Sequence, residues 1–161
     1  MAKTTRILIP SDFTVDSLEF VRQSIEESVA EQIDIILVYG NKSSSSASEL
    51  LGIGLDDQLD MLQSESFLNA CRVLYQRYQD RHLHIFADIL YTDNKNYLRH
   101  YLRGQAVDEI RIPSNYTYKK KTRHFFNVAE ALRNIEGQIR STVLFSDKGD
   151  PSHHKMALTN G

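Results

Sequence analysis

The chain has 161 residues, a formal net charge of -2 and a single cysteine. Its length fits one domain of ordinary size. Its 41% hydrophobic and 25% charged residues are typical of a soluble globular protein. The charge argues against a general nucleic-acid binder, which usually carries a basic excess. One cysteine excludes an intramolecular disulfide, and no apolar run is long enough for a membrane span or a signal peptide. We therefore expect a cytoplasmic protein that binds neither nucleic acid nor membrane.

The first 40 residues predict a strand, a helix and a second strand. The apolar runs Ile7–Ile9 and Ile33–Tyr39 are strand candidates, and the second, apolar except for Asp34, is typical of a strand covered on both faces. Between them, apolar residues recur every three or four positions, as in an amphipathic helix of about four turns: Leu18, Val21, Ile25 and Val29. Thr14 or Asp16 is the expected helix cap. This order of elements predicts a parallel βαβ unit with a right-handed crossover.

The middle of the chain predicts one long helix and a third strand. After the polar loop 40–48, a helical pattern of apolar residues runs to about Asp80, with a break between Gly52 and Gly54. The segment His82–Tyr91 then reads as a strand whose side chains alternate between two faces. Leu83, Ile85, Ala87 and Ile89 lie on one face, and His84, Phe86, Asp88 and Leu90 on the other. A short helix is predicted over Asn94–Arg103.

The last third predicts two more strands around a helix. Val107–Pro113 is the fourth strand, and its charged residues favour one exposed end. Apolar spacing from Phe125 to Ile135 predicts the last helix, which ends near Gly137, and Thr142–Phe145 is the fifth strand. Five strands alternating with helices indicate an α/β fold, a doubly wound parallel sheet with helices on both faces. We expect one domain over residues 1–147 and a flexible tail over 148–161.

Two stretches near the ends of the chain carry a family resemblance. The first strand runs into Pro10-x-Asp12-Phe13, and Asn127-Val-Ala-Glu130 leads towards the apolar run Ser141–Ser146. Both stretches resemble the universal stress protein family. The resemblance implies strand order 3-2-1-4-5 in a Rossmann-like three-layer sandwich of the adenine nucleotide alpha hydrolase type. It also implies a homodimer formed by pairing of the last strands, here Thr142, Val143, Leu144 and Phe145.

The resemblance also locates where a phosphate-binding loop would lie. Nucleotide-binding members carry Gly, two residues, Gly, nine residues, then Gly followed by Ser or Thr. With Asn127-Val-Ala-Glu130 in register, the three glycines fall at Pro113, Tyr116 and Phe126, and the hydroxyl position falls at Asn127. A phosphate cradle needs backbone N–H groups close to the anion. Proline has no N–H and the aromatic rings add bulk. We therefore predict no cofactor and no ATP binding of the family's usual kind.

The crevice for a ligand is expected beyond the carboxyl ends of strands one and four, where the strand order reverses. The resemblance implies that Pro10, Asp12 and Val38 are vestiges of the nucleoside side of this site. Alternatively, Asp12 caps a helix or holds a turn. Tyr116 and Phe126 have an alternative role too, because they could fill the space that a nucleotide would occupy.

One dense positive cluster is a candidate anion site. It consists of Lys119, Lys120, Lys121 and Arg123, just before the last predicted helix. These cations could attract an anion to the crevice or to the start of that helix. The alternative is a solvated loop.

Catalytic and metal-binding motifs are not identifiable. The pairs His82/His84 and His153/His154 lack the spaced ligands of a metal site, so we name no metal site and no catalytic residue. Asp56, Asp57 and Asp60 fit a solvated acidic face, and Cys71 fits a buried filler. Five tyrosines in the second half fit either an interface or ordinary packing: Tyr91, Tyr97, Tyr101, Tyr116 and Tyr118.

Three functions follow from these features. The leading hypothesis is a non-enzymatic binding or regulatory module of the stress response that acts on an unknown protein partner. The alternative is a nucleotide-binding switch or weak ATPase with an altered phosphate site, which would use Asp12 and the lysine cluster. A third is a structural partner protein whose tyrosine-rich face is its working surface.

Overall fold

A computed structural model describes residues 3–42, 54–133, 135 and 140–145. Within these residues, strands and helices occur in the following order: β1 Thr4–Pro10, α1 Leu18–Glu27, β2 Gln32–Gly40, α2 Leu55–Leu62, α3 Glu65–Arg77, β3 Leu83–Leu90, α4 Lys95–Gly104, β4 Glu109–Ser114, α5 Val128–Arg133 and β5 Arg140–Phe145. None of the described helices is long and apolar enough to cross a membrane.

The strands form one parallel sheet in the order β3-β2-β1-β4-β5. This confirms the predicted fold class and strand order. β1 lies at the centre, and the chain moves outwards from it first to β2 and β3 and then to β4 and β5. The strand order therefore reverses between β1 and β4, and the crevice expected of such sheets lies beyond the carboxyl ends of these two strands.

Successive side chains of the central strands point to opposite faces of the sheet, and each face carries a hydrophobic core. In β1, Ile7 and Ile9 join the core formed with α1, α2 and α3, while Leu8 joins the core formed with α4 and α5. β2 is buried from Ile33 to Gly40, as expected for a strand covered on both faces. The result is the predicted three-layer sandwich.

The first helix is shorter than its apolar spacing predicts. It ends at Glu27, Ser28 has extended backbone angles (φ -83, ψ 137), and the side chain of Val29 is 91% exposed. The predicted extension to Val29 is therefore wrong. The chain must turn at this point so that Ala30 and the start of β2 become buried. Ser17 stands at the N-cap position without a side-chain cap hydrogen bond, whereas the Thr14 hydroxyl and carbonyl accept from the Ser17 N–H at 3.3 and 3.1 Å in the turn before α1.

The single long helix predicted to end near Asp80 is also wrong, because the structure has two helices. They are separated by Gln63 and Ser64. The Ser64 hydroxyl accepts from the Phe67 N–H at 3.1 Å and so caps α3. The bend allows Leu62 and Phe67 to be buried in the same core. Gly54 is the N-cap of α2, and the other predicted break residues lie outside the described part of the chain.

The last helix begins later than predicted, at Val128 instead of Phe125. Phe125 forms an antiparallel bridge with Asn41, so this residue extends the end of β2 instead of starting a helix. The Asn127 side-chain oxygen accepts from the Glu130 N–H at 3.1 Å, as a helix cap does. The predicted end near Gly137 lies outside the described residues.

Two charges of β4, Glu109 and Arg111, are buried, whereas Asp108 just before β4 is exposed, so the predicted strand Val107–Pro113 does have one exposed end. Glu109 and Arg111 are 3% and 6% exposed. Their side chains form an ion pair of 2.7 Å, and Arg111 also pairs with Glu27 at the end of α1. Burial of a charge is tolerated only when a partner compensates for lost hydration, and the partners here lie on the same strand and on the helix above it.

Gly40 allows the segment before α5 to lie against the end of β2. Its carbonyl accepts from the Phe126 N–H at 3.1 Å. A Cβ at this position would lie 2.4 Å from the Phe126 carbonyl oxygen and 2.8 Å from a methyl carbon of Val128. A side chain at position 40 would therefore push the backbone of Phe126 away from the end of β2.

We expect Gly40→Ala to lower the free energy of unfolding by about 1–3 kcal/mol, as overpacking of a tight site does. The measurement is thermal and chemical denaturation. The matched control is Gly104→Ala at the end of α4, where an added Cβ meets nothing within 4 Å. Equal stability of the two variants would contradict the assigned contact.

Candidate functional site

The crevice beyond β1 and β4 is crossed by residues 115–127, which connect β4 to α5 and which we call the strap. The loop after β1 faces it, and the Ser11 N–H donates to the Val38 carbonyl at 2.9 Å. Phe13 in this loop is fully buried with a positive φ of 55°. Such a backbone conformation is strained for an aromatic residue and persists only where the surroundings fix it. The geometry of this loop is thus set by what packs on it.

The side chain of Asp12 is the centre of the site and is fully buried. One carboxylate oxygen accepts from the hydroxyl of Thr14 at 2.7 Å and from its N–H at 3.3 Å. The other accepts from the Tyr116 hydroxyl at 2.7 Å and from the Lys119 N–H at 2.8 Å. A carboxylate has about four acceptor positions. The strap and the β1 loop therefore satisfy the hydrogen-bonding capacity of Asp12.

Tyr116 fills the crevice with its ring as well as its hydroxyl. The ring packs edge-on against Phe20 of α1 at 5.3 Å and against Tyr118 at 5.1 Å between centroids. Burial raises the pKa of Tyr116, and its hydrogen bond to Asp12 raises it further. The phenol therefore stays protonated near neutral pH and donates to Asp12. The hydroxyl is also 3.0 Å from the Thr14 hydroxyl.

The predicted cation cluster is divided by the structure. The Lys121 ammonium points inwards and donates to the carbonyls of Phe13 at 2.8 Å and Leu62 at 2.7 Å. Burial lowers the pKa of Lys121. In contrast, Lys119, Lys120 and Arg123 are exposed. One predicted anion contact thus anchors the strap to α2 and to the β1 loop.

Tyr39 anchors the second half of the strap, a role that the sequence analysis missed. Its hydroxyl accepts from the backbone N–H groups of Lys121 at 3.1 Å and Thr122 at 3.0 Å. The Thr122 hydroxyl donates to the Asn41 side chain at 2.9 Å, and the Lys42 N–H donates to the His124 carbonyl at 2.8 Å. The available signal was a tyrosine that follows the aliphatic run Ile35–Val38 at the carboxyl end of β2.

The remaining predicted site residues line the crevice or flank it. Pro10 and Val38 are buried and lie opposite each other in the β1–β2 register. Pro113 is buried in β4. Phe126 is partly buried against the core around α4 and α5, and the Lys42 ammonium lies 5.8 Å from its ring centroid.

The other candidate groups lie elsewhere. Within the described ranges, three or more His, Cys, Asp or Glu side chains do not gather into a possible metal site. Cys71 is half-buried, and burial raises the pKa of its thiol to about 11, so the thiol is protonated at neutral pH. The tyrosines form two groups. Tyr116 and Tyr118 belong to the strap, whereas the Tyr101 hydroxyl donates to Asp88 on β3 at 2.6 Å.

Comparisons with known proteins agree with this architecture. No family model matches the sequence, and no curated protein is significantly similar to it. Among solved structures, the universal stress protein UspA from Lactobacillus plantarum superimposes with a TM-score of 0.53 at 13% identity, covering 89% of this chain and 99% of its own. The hypothetical protein MJ0577 superimposes with a TM-score of 0.50 at 16% identity, covering 88% of this chain and 95% of its own. The chain therefore has the fold of the universal stress proteins.

Proposed function

We propose that this chain is a universal stress protein-like binding or regulatory module that works without a bound nucleotide and without catalysis. The observation that carries the proposal is the carboxylate of Asp12, which accepts four hydrogen bonds from Thr14, Tyr116 and Lys119. This side chain lies where the family resemblance places a nucleoside contact. Here it fastens the strap across the crevice.

The cost of opening the crevice supports this function. A nucleotide at Asp12 would have to break the contacts from the Tyr116 hydroxyl and the Lys119 N–H. Hydrogen bonds to a charged group contribute about 1.5–3 kcal/mol each, and about 1.4 kcal/mol corresponds to a tenfold change in affinity. Displacing the strap would therefore weaken the affinity for a nucleotide by roughly tenfold or more for each of these two hydrogen bonds. The ammonium of Lys121 would also lose its two carbonyl partners.

The competing function is a nucleotide-binding switch or weak ATPase. It is favoured by the exposed cations Lys119, Lys120 and Arg123 on the strap, close in sequence to the residues that contact Asp12. This function requires the strap to leave Asp12 when the nucleotide binds. The two functions thus differ in whether the strap opens for a ligand.

We expect no shift of the thermal midpoint in millimolar ATP, ADP or AMP with magnesium. A ligand at about 100 times its dissociation constant stabilises a fold by about 2.7 kcal/mol, which is a shift of several degrees at this size. The readout is differential scanning fluorimetry, confirmed by calorimetric titration. The matched variant is Asp12→Asn, which should respond like the natural chain. A shift in the natural chain that Asp12→Asn abolishes would establish the competing function.

We further propose that the module is a homodimer paired through β5, with an additional protein partner. β5 is a terminal strand of the sheet, and an edge strand offers unpaired backbone groups to a second strand. The fold likeness to the UspA structure, in which nearly the whole of that chain is matched, supports comparison with that family. β5 is therefore the expected interface.

We expect proline substitutions in β5 to separate pairing with β4 from pairing with a second copy. N–H groups of neighbouring residues in a strand point to opposite edges, so those of Val143 and Leu144 point in opposite directions. Proline removes one such donor. Of Val143→Pro and Leu144→Pro, the variant that loses the N–H facing β4 should have a lower free energy of unfolding. The variant that loses the N–H facing outwards should have a lower molecular mass in solution, because it pairs less well with a second copy. Light scattering and thermal denaturation measure both. Two folded variants with the mass of the natural chain would remove β5 from the interface.

A further inference from the structure

The outer edge of β3 is the other end of the sheet. β3 pairs with β2 from Leu83 to Leu90. At the two ends of this ladder, the carbonyls of His82 and Leu90 accept from β2 and from the residue after it, at 3.2 and 2.9 Å. Backbone groups of alternate residues point to opposite sides of a strand. The odd-numbered residues of β3, including Ile85, Ala87 and Ile89, therefore direct their N–H and C=O groups away from β2.

A tyrosine from α3 occupies this edge at Ile85. The Tyr75 hydroxyl accepts from the Ile85 N–H at 2.6 Å and donates to the Ile85 carbonyl at 3.4 Å. Its ring lines a groove of about 370 Å³ between α3 and β3, together with Leu68, Cys71 and Phe86. One side chain thus takes up the donor and the acceptor that a new strand would use at this position.

Asp88 occupies the edge at Ile89, four residues after Ile85. One carboxylate oxygen of Asp88 accepts from the Ile89 N–H at 2.8 Å. The other accepts from the Tyr101 hydroxyl of α4 at 2.6 Å, which fixes the side chain. With both backbone groups of Ile85 and the N–H of Ile89 hydrogen-bonded, Ala87 lies between two blocked positions. A continuous ladder cannot form along such an edge.

Exposed apolar side chains surround this edge and would favour the addition of another strand. Phe86 is 46% exposed, and Leu68 and Tyr75 beside the groove are each 38% exposed. An apolar edge strand with unpaired backbone groups invites addition of another strand. We propose that Tyr75 and Asp88 close the β3 edge against a second copy of this chain. The closure of β3 does not depend on the homodimer through β5 proposed above.

The test is Tyr75→Phe, which keeps the ring in the groove and removes the hydroxyl. Light scattering over a concentration series should show at least a doubling of the weight-average mass relative to the natural chain. Adding Asp88→Ala should increase this mass further. The matched control is Tyr78→Phe, whose lost hydroxyl donates to Glu26 on α1, away from the edge. Its mass should equal that of the natural chain.

A second substitution shows whether new assembly runs through β3. Ala87→Pro removes an outward-facing donor and leaves the β2 ladder intact, as proline does on an edge strand. In the Tyr75→Phe background it should return the mass to that of the natural chain. Hydrogen exchange at the Ile85 amide should accelerate in Tyr75→Phe.

Two results would overturn the proposal. One is a folded Tyr75→Phe/Asp88→Ala variant with unchanged mass, and the other is an increase that Ala87→Pro does not reverse. Each variant is compared with the measured mass of the natural chain, whether that chain is a monomer or a dimer. The test therefore remains valid if the proposed β5 dimer does not form.

Discussion

The carboxylate of Asp12 determines how the carboxyl edge of the sheet is built. A buried charge is tolerated only where hydrogen bonds replace its lost hydration, and Asp12 is fully buried. Two of its four hydrogen bonds come from the strap, more than 100 residues away along the chain. Removing the strap would leave a buried, half-satisfied charge. The position of the strap is therefore a condition for burying Asp12 at the end of the central strand.

The remaining contacts of the strap follow from that anchor. Once Tyr116 and Lys119 bind Asp12, Lys121 reaches the carbonyls of the β1 loop and α2, and its backbone reaches the Tyr39 hydroxyl. Gly40 then allows Phe126 to pair with the end of β2. These contacts occupy the crevice with the chain's own groups. Because these groups already hydrogen-bond to one another, we propose that partners bind outside this crevice, with the β5 edge as the interface between copies.

The sequence predicted those parts of the structure that depend on local pattern. Ile33–Tyr39 is apolar except for Asp34, and such a nearly continuous run is typical of a strand covered on both faces. The strand order was available only through the family resemblance. The break at Ser64 was missed because the apolar spacing continues through it, although serine caps α3 there. The burial of Arg111 was missed because its partner Glu27 lies 84 residues away.

Only part of the candidate site could be predicted from the sequence. Asp12 and Tyr116 stood out at positions given by the resemblance, and the alternative that Tyr116 fills the crevice agrees with its contacts to Phe20 and Tyr118. The roles of Tyr39 and Tyr75 depend on which backbone groups lie opposite their hydroxyls in the folded chain. No spacing in the sequence carries that information.

A double-mutant cycle on Asp12 and Tyr116 tests most directly whether Asp12 is a structural anchor. The free energy of unfolding would be measured for Asp12→Ala, Tyr116→Phe and the double variant. Because the Tyr116 hydroxyl donates a hydrogen bond to the buried Asp12 carboxylate, we predict a coupling energy of about 1.5–3 kcal/mol. Effects that add to within about 0.5 kcal/mol would contradict it, since Asp12 would then hold its place without the strap.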